Sequence, residues 1–385
     1  MSLAEQLAPD LIRIPSPNPP GDTQAIATHV SQLLHGWGCH VVEYYPPAKP
    51  TARSIVATLG RGEPSLLYHA HLDTVPIGVQ EANRWSSDPY TPTWRDGRLY
   101  GKGSVDDKGP LAAMLAVAQR LTTQPQPLAG MFVLVAAAEE ETGGQWGTRW
   151  LADQGYIPPV DFVVVGEQTA NRVATAHKGI LRATVQVYGR SVHATNPDRG
   201  VNAINAMARV ILALEDYHRR LQGRVHALVG SPTCNIGIIQ GGAATNVVAD
   251  ACEVRLDRRL LPGEDVAAAQ RELSEVVAAV PLPTGAGVEV GDFSVSNAFE
   301  TNADTPFTQR FLAMTREVLG DDPGPVGYLP GSDAKHLTAI ARQGMIVFGP
   351  GSYEVAHAAD EYVDLAALAQ TEAILWRFAE QTLLR

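Results

Sequence analysis

Apolar residues recur every three or four positions through residues 3 to 13 and again through 23 to 37, the spacing that gathers one face of an α-helix. Between them stands Pro15-Ser16-Pro17-Asn18-Pro19-Pro20-Gly21-Asp22. Prolines at that density fix φ and remove amides, so two helices joined by a rigid corner are predicted. The pattern then changes. Gly38 to Tyr45, Ser54 to Leu59 and Ser65 to His71 read as strands, and Asp96-Gly97 marks a hairpin. Pro110 is tolerated at a helix start, ahead of the Ala- and Leu-rich helix Leu111 to Leu121. Met131 to Ala138 and Asp161 to Val165 are near-continuous apolar runs, as in strands covered on both faces. Such strands alternating with helices predict an α/β sheet, whose ligands bind outside the carboxyl ends of the strands.

From Lys178 the rhythm is different. Ile180 to Tyr188 reads as a strand, Val201 to Leu221 as a helix, Thr233 to Gln240 and Ala249 to Arg258 as strands, Glu264 to Ala279 as a helix and Gly287 to Phe293 as a strand. That β-α-β-β-α-β order is ferredoxin-like. It predicts an inserted domain over residues 178–294, splitting a catalytic domain into 1–177 and 295–385. The returning chain carries a helix from Thr305 to Leu319, a Gly-rich loop from Gly327 to Ala334, a short strand from Met345 to Phe348, a loop from Gly349 to His357 and a closing helix from Leu365 to Leu383.

Composition narrows the picture mainly by exclusion. A chain of 385 residues, 45% hydrophobic and 18% charged, has ample material for a large core, and its formal charge of −11 argues against nucleic acid or an anionic membrane as partner. Cys39, Cys234 and Cys252 are isolated thiols in odd number, which points to neither a disulfide framework nor a thiolate metal site. They suit a reducing compartment. The N-terminus lacks a basic region followed by an apolar one, and no run approaches a membrane span, so a cytoplasmic protein is expected.

Candidate chemistry collects at the predicted strand ends. In Tyr68-His-Ala-His-Leu-Asp-Thr-Val-Pro76, residues two apart share a strand face, so Asp73 would point with His71. A carboxylate in that position orients a metal-binding imidazole. Alone the pair is weak evidence, since a strand-end histidine is often only a satisfied polar residue. Asp106 stands just before a predicted helix, Glu139-Glu140-Glu141 closes one apolar strand, Glu167 follows another, and His357 lies in a late loop. Imidazole mixed with carboxylate suits Zn²⁺, Co²⁺ or Mn²⁺, and the number of carboxylates suits two ions sharing one bridge. Gly101-x-Gly103-x-x-Asp106 lacks the third glycine of a dinucleotide fingerprint and would set an acid against the pyrophosphate.

Seven ordered segments carry a resemblance over essentially the whole chain: His71-Leu-Asp-Thr-Val-Pro76, Gly101-Lys-Gly-Ser-Val-Asp-Asp-Lys-Gly109, Glu140-Glu-Thr-Gly143, Gly166-Glu167, Asp257-Arg-Arg-Leu-Leu-Pro-Gly263, Gly331-Ser-Asp-Ala334, and Ala356-His357 with Asp360-Glu361. The sequence resembles the M20 dinuclear zinc amidohydrolases, the group that includes acetylornithine deacetylase, succinyl-diaminopimelate desuccinylase, aminoacylases and glutamate carboxypeptidase. The resemblance implies a zinc-peptidase-like catalytic domain with a mixed sheet flanked by helices, and makes the insert a lid through which a homodimer forms. It implies two divalent ions, with Asp106 bridging, His71 and Glu167 on one, and Glu141 and His357 on the other. Glu140 becomes the general base for hydrolysis by metal-bound hydroxide. His193 would reach a partner subunit's site and stabilise the oxyanion. Asn246, Gly331 and Ser332 would lie in substrate loops, and Arg259 would hold a substrate carboxylate. In the family the peptide after the bridging aspartate, here Asp106-Asp107, is cis.

The implied substrate is an N-acyl amino acid, handled as acetylornithine deacetylase or succinyl-diaminopimelate desuccinylase would, because a glutamate where Glu167 stands goes with aminoacylase-type members. A dipeptidase or carboxypeptidase is the alternative, and a catalytically inactive binding protein the rival from another class. Glu139 is expected as a strand-end or surface acid, His69 as packing behind the site, and Asp107 and Asp333 as loop acids or, for Asp333, a substrate contact.

Overall fold

The computed structural model describes residues 1–322 and 324–384. They form two compact units, one of residues 1–175 with 301–385 and one of residues 176–300. The sequence reading set those limits at 178 and 294. Among the described residues no helix is long and apolar enough to cross a membrane.

In the first unit the sheet runs His40–Tyr44, Ser54–Gly60, Met131–Ala137, Ser65–His71, Val160–Val165, Ala341–Val347, and Val347 pairs on the far side with Ala174. The inner pairs are parallel and the outer ones antiparallel, which makes the sheet mixed. All seven residues of Ser65–His71 are buried, as the unbroken apolar run requires of a strand covered on both faces. Register then does the positioning. His71 pairs with Ala137, His69 with Val165, and Val347 with Val165. The chain therefore leaves the sheet at one common edge after His71, before the Glu139 to Glu141 run, before Glu167 and before the loop from Gly349.

Helix Lys108–Thr122 packs against Leu3–Ile12, Leu365–Leu383 and the strand Ser65–His71. Twelve of its residues are buried, including Lys108 itself, so it begins two residues before the predicted Pro110 position. Phe162, Phe307, Phe311, Phe348 and Phe378 interlock at centroid separations of 4.8 to 5.2 Å between strands and the two late helices. Tyr68 Oη donates to the Leu375 carbonyl at 2.6 Å, tying the central strand to the last helix.

The second unit has the element order Gly179–Tyr188, Ala203–Leu221, Thr233–Gly241, Ala251–Leu260, Val266–Ala278, Gly287–Ser296, with an antiparallel sheet ordered third element, fourth, first, sixth. Val185, Val187, Val254 and Leu256 meet Met207, Val210, Leu214, Leu273 and Val277 of the two helices on one face. Arg258, wholly buried there, is held by Glu264 at 2.7 and 2.8 Å. Its neighbour Arg259 alternates to the other face.

Phe378 meets three of these rings, Phe162, Phe307 and Phe311. Phe378→Ala should lower unfolding stability by about 3–5 kcal/mol through the cavity it leaves. Urea unfolding measures this, and a loss below about 1 kcal/mol would mean that the cluster does not anchor the last helix.

Candidate active site at the strand ends

Ligating atoms of His71, Asp106 and Glu167 lie within 4.8 Å of one another, and so do those of Asp106, Glu141 and His357. Asp106 belongs to both groups. Its Oδ1 meets His71 Nε2 at 2.9 Å and its Oδ2 meets His357 Nε2 at 2.9 Å, so two imidazoles face the two oxygens of one carboxylate. His357 Nε2 also stands 3.3 Å from Glu141 Oε2. His71 and Glu167 are buried, whereas His357 sits half exposed at the rim with φ at 57°.

Electrostatics show what the donor set lacks. Burial, and then Glu140 and Asp106, push the Glu167 carboxyl well up; burial and then Asp106 also raise Glu141. Hydrogen bonds to Asp106 and Glu141 raise His357 to about 10. Burial opposes a charge on His71, yet its contact with Asp106 and the nearby acids raise it well above the ordinary value. The group is a concentration of negative charge with too few cations of its own. Three carboxylates and two imidazoles, with no thiolate, fit two borderline divalent ions.

The loops holding these groups are themselves tied. Glu361 accepts from the Val105 and Asp106 amides at 3.1 and 3.2 Å and pairs with buried Lys102 at 3.1 Å. The Asp106-Asp107 peptide is cis. Asp73 departs from expectation. His71 Nδ1 donates to the Asp73 main-chain carbonyl at 3.0 Å, while the carboxylate stands 3.6 Å away. The strand ends at His71, so side-chain alternation no longer governs Asp73. Its carboxylate instead accepts from the Glu140 amide at 3.1 Å, the Glu141 amide at 3.2 Å and Asn18 Nδ2 at 2.9 Å. It fixes the turn that presents both acids, and the proline-rich corner supplies the third bond.

Glu139 is buried rather than at the surface, with φ at 70° in the left-handed region. Lys49 pairs with it, and Thr142 Oγ1 donates to it at 3.1 Å. That kink lets Glu140 and Glu141 turn their amides to Asp73. Beside Glu140, Lys335 Nζ lies 3.6 Å from Oε1 and donates to the Ser332 carbonyl at 3.0 Å. Burial raises Glu140 to about 8 against the opposing charge of Lys335. Asp333 is fully buried and accepts from Thr148 Oγ1 at 2.5 Å, and Thr148 meets His69 Nε2 at 2.7 Å. Burial holds His69 down to about 4, and neutral, behind the site. Asp333 is thus scaffold for the turn that carries Lys335.

Sequence reasoning missed Asn18, Lys49 and Lys335. Asn18 sat in a segment legible only as a connector, and each lysine reads as a surface residue until its distant acid is known. Ser332 is fully buried with Oγ on the Ala334 amide at 3.3 Å, and Gly331 is only partly exposed. In the second unit His193 is exposed, with Nδ1 2.9 Å from Thr195 Oγ1. Ala194 donates to the Asn246 carbonyl at 2.9 Å, so the loops of His193 and Asn246 adjoin. Arg259 Nε donates to Asp257 at 2.8 Å.

Residues 67–381 match Peptidase family M20/M25/M40. The chain belongs to this family. As an M20 hydrolase it is 33% identical over 332 residues to the acetylornithine deacetylase of Proteus mirabilis, covering 85% of this chain and 82% of that one. It is 32% identical over 350 residues to the acetylornithine deacetylase of Pectobacterium atrosepticum, covering 89% and 88%. Among solved structures, an M20 family metallo-carboxypeptidase from Sulfolobus solfataricus superposes with a TM-score of 0.77 at 17% identity, over 98% of this chain and 99% of that one. A Bacillus subtilis dinuclear metal binding peptidase of the M20 family gives 0.71 at 15%, over 98% and 96%. At those identities the structures establish the shared fold: a mixed sheet flanked by helices.

The Lys49–Glu139 pair makes a testable support of this M20 site. Lys49→Met should destabilise the protein by on the order of 1–3 kcal/mol, because it strands a buried carboxylate. Adding Glu139→Gly removes both that charge and the left-handed strain, so the double variant should be more stable than Lys49→Met alone. Urea midpoints decide it, and a double variant weaker than the single one would show that the pair does not hold the turn.

Proposed function

We propose that this protein hydrolyses the amide bond of an N-acyl amino acid, in the manner of an acetylornithine deacetylase or a succinyl-diaminopimelate desuccinylase. The observation that carries the reading is Asp106, one carboxylate facing His71 and His357 with Glu140 close by. His71, Asp106 and Glu167 would hold one divalent ion, and Asp106, Glu141 and His357 the other, with Zn²⁺ favoured and Co²⁺ or Mn²⁺ able to substitute. Bound there, the cations supply Lewis acidity that polarises the amide carbonyl and makes water a stronger acid.

The chain's own groups do the proton work. Glu140 takes the proton of the attacking water and hands it to the departing amine. Lys335 keeps Glu140 oriented and offsets its charge. Arg259 offers a guanidinium to the substrate carboxylate, while Asn246, Gly331 and Ser332 belong to the loops around the substrate; buried Ser332 would act through main-chain groups. The identity with acetylornithine deacetylases and a glutamate at Glu167 favour deacylation over peptide cleavage. A complete set of candidate ligands and base speaks against an inactive binding protein. Three free cysteines suit a cytoplasmic enzyme of amino-acid metabolism.

Turnover of N-acetyl-ornithine, N-succinyl-diaminopimelate and a set of dipeptides, with Zn²⁺ or Co²⁺ added, tests the reading. One of the N-acyl compounds should be cleaved with a kcat/KM at least roughly tenfold above any dipeptide, about 1.4 kcal/mol of transition-state preference. Faster dipeptide cleavage would make it a peptidase, and no turnover at full metal loading would favour the binding protein.

We further propose a homodimer through residues 178–294, in which His193 of one chain completes the site containing Glu140 of the other. Glu140→Ala and His193→Ala chains, each inactive alone, should recover about a quarter of wild-type activity when reassorted at random, because half the dimers are mixed and carry one intact site of two. Absence of recovery despite demonstrated subunit exchange would rule out the shared site.

A further inference from the structure

Glu167 is fastened by a residue far from it in sequence. Tyr328 ends the short strand Val326–Tyr328 and is buried, with its Oη 2.9 Å from Glu167 Oε2 and 2.6 Å from Gln168 Oε1. Gln168 Nε2 donates to the same Glu167 oxygen at 3.1 Å. Both contacts therefore fall on Oε2. They fix the rotation of the carboxylate and leave its other oxygen to an ion. A glutamate carries one more torsion than an aspartate and loses more freedom when fixed, so anchoring by a rigid phenol counts for more here than at a shorter acid. No hydrogen bond or ion pair joins Tyr328 to Glu141 or His357 among the described residues. Its ring meets Tyr353 edge-on at 6.4 Å, a contact that does not need the hydroxyl.

We propose that Tyr328, with Gln168, is a positioning residue that sets the affinity of the His71, Asp106 and Glu167 ion site without setting that of the Asp106, Glu141 and His357 site. The inference rests on the two-ion reading above. Its chemistry is that of a hydrogen-bond donor behind a ligating carboxylate, which fixes ligand orientation and commonly changes metal affinity by about 10–100-fold when removed.

Metal-free protein titrated with Zn²⁺ or Co²⁺ tests it directly, because the wild type should bind in two resolvable steps. Tyr328→Phe keeps the ring and its contact with Tyr353 and removes only the hydroxyl. One step should weaken by about 10–100-fold while the other stays in place, with excess Co²⁺ restoring turnover and the unfolding midpoint of the metal-free protein unchanged. Gln168→Leu should weaken the same step. In a Glu167→Ala background Tyr328→Phe should add nothing further, as expected of residues acting through one group. Two unchanged steps, or two steps weakened alike, would overturn the assignment. A wild-type curve with fewer than two steps would instead remove the two-ion reading and this inference with it.

Discussion

Uncompensated negative charge, gathered where parallel strands end, is the constraint on which the rest of this site depends. Asp106, Glu141 and Glu167 converge within reach of common points, and Glu140 stands beside them. Removing an ion from water costs roughly several kcal/mol even after relaxation, so such a cluster persists only with cations to face. The chain supplies Lys49, Lys102 and Lys335, each paired with or beside an acid that is not among the candidate ligands. The lysines hold the frame, and the ligand acids are left for ions from outside.

The frame explains how these acids stay close. The register of the inner strands brings four chain exits to one edge of the sheet, and each exit is then fastened separately. Glu361 holds the Asp106 loop, Asp73 holds the Glu140 and Glu141 turn, and Tyr328 holds Glu167. These fastenings cross long stretches of chain, joining residues 18, 73 and 140 or 167 and 328. Tyr328 thus bears on one ligand, Asp73 on a ligand and the neighbouring Glu140, and Glu361 on the carboxylate common to both groups.

Legibility in the sequence followed the range of the interaction. The apolar run at Ser65 to His71, the Asp96-Gly97 hairpin and the β-α-β-β-α-β order of the insert are local patterns, and the structure has a strand, a hairpin turn and that element order in those places. His71, Asp106, Glu141, Glu167 and His357 were recognisable as a ligand set through the motifs that resemble the M20 family, and they do converge. Asp73 meets His71 through its main-chain carbonyl, with its carboxylate 3.6 Å away, because it lies two residues past the strand's end, where alternation no longer sets direction. Glu139 looked like a surplus acid because neither its left-handed φ nor Lys49, ninety residues earlier, is visible in periodicity. Tyr328 and Lys335 flank a Gly-rich segment, one ending a three-residue strand and the other in a four-residue helix, and the local pattern there says nothing of what it folds against.

Crystals grown with saturating Zn²⁺, with anomalous scattering measured across the zinc edge, test the central claim most directly. The account predicts two peaks per chain, one between His71, Asp106 and Glu167 and the other between Asp106, Glu141 and His357, with Asp106 contacting both. A single peak, or two peaks without Asp106 in common, would contradict it.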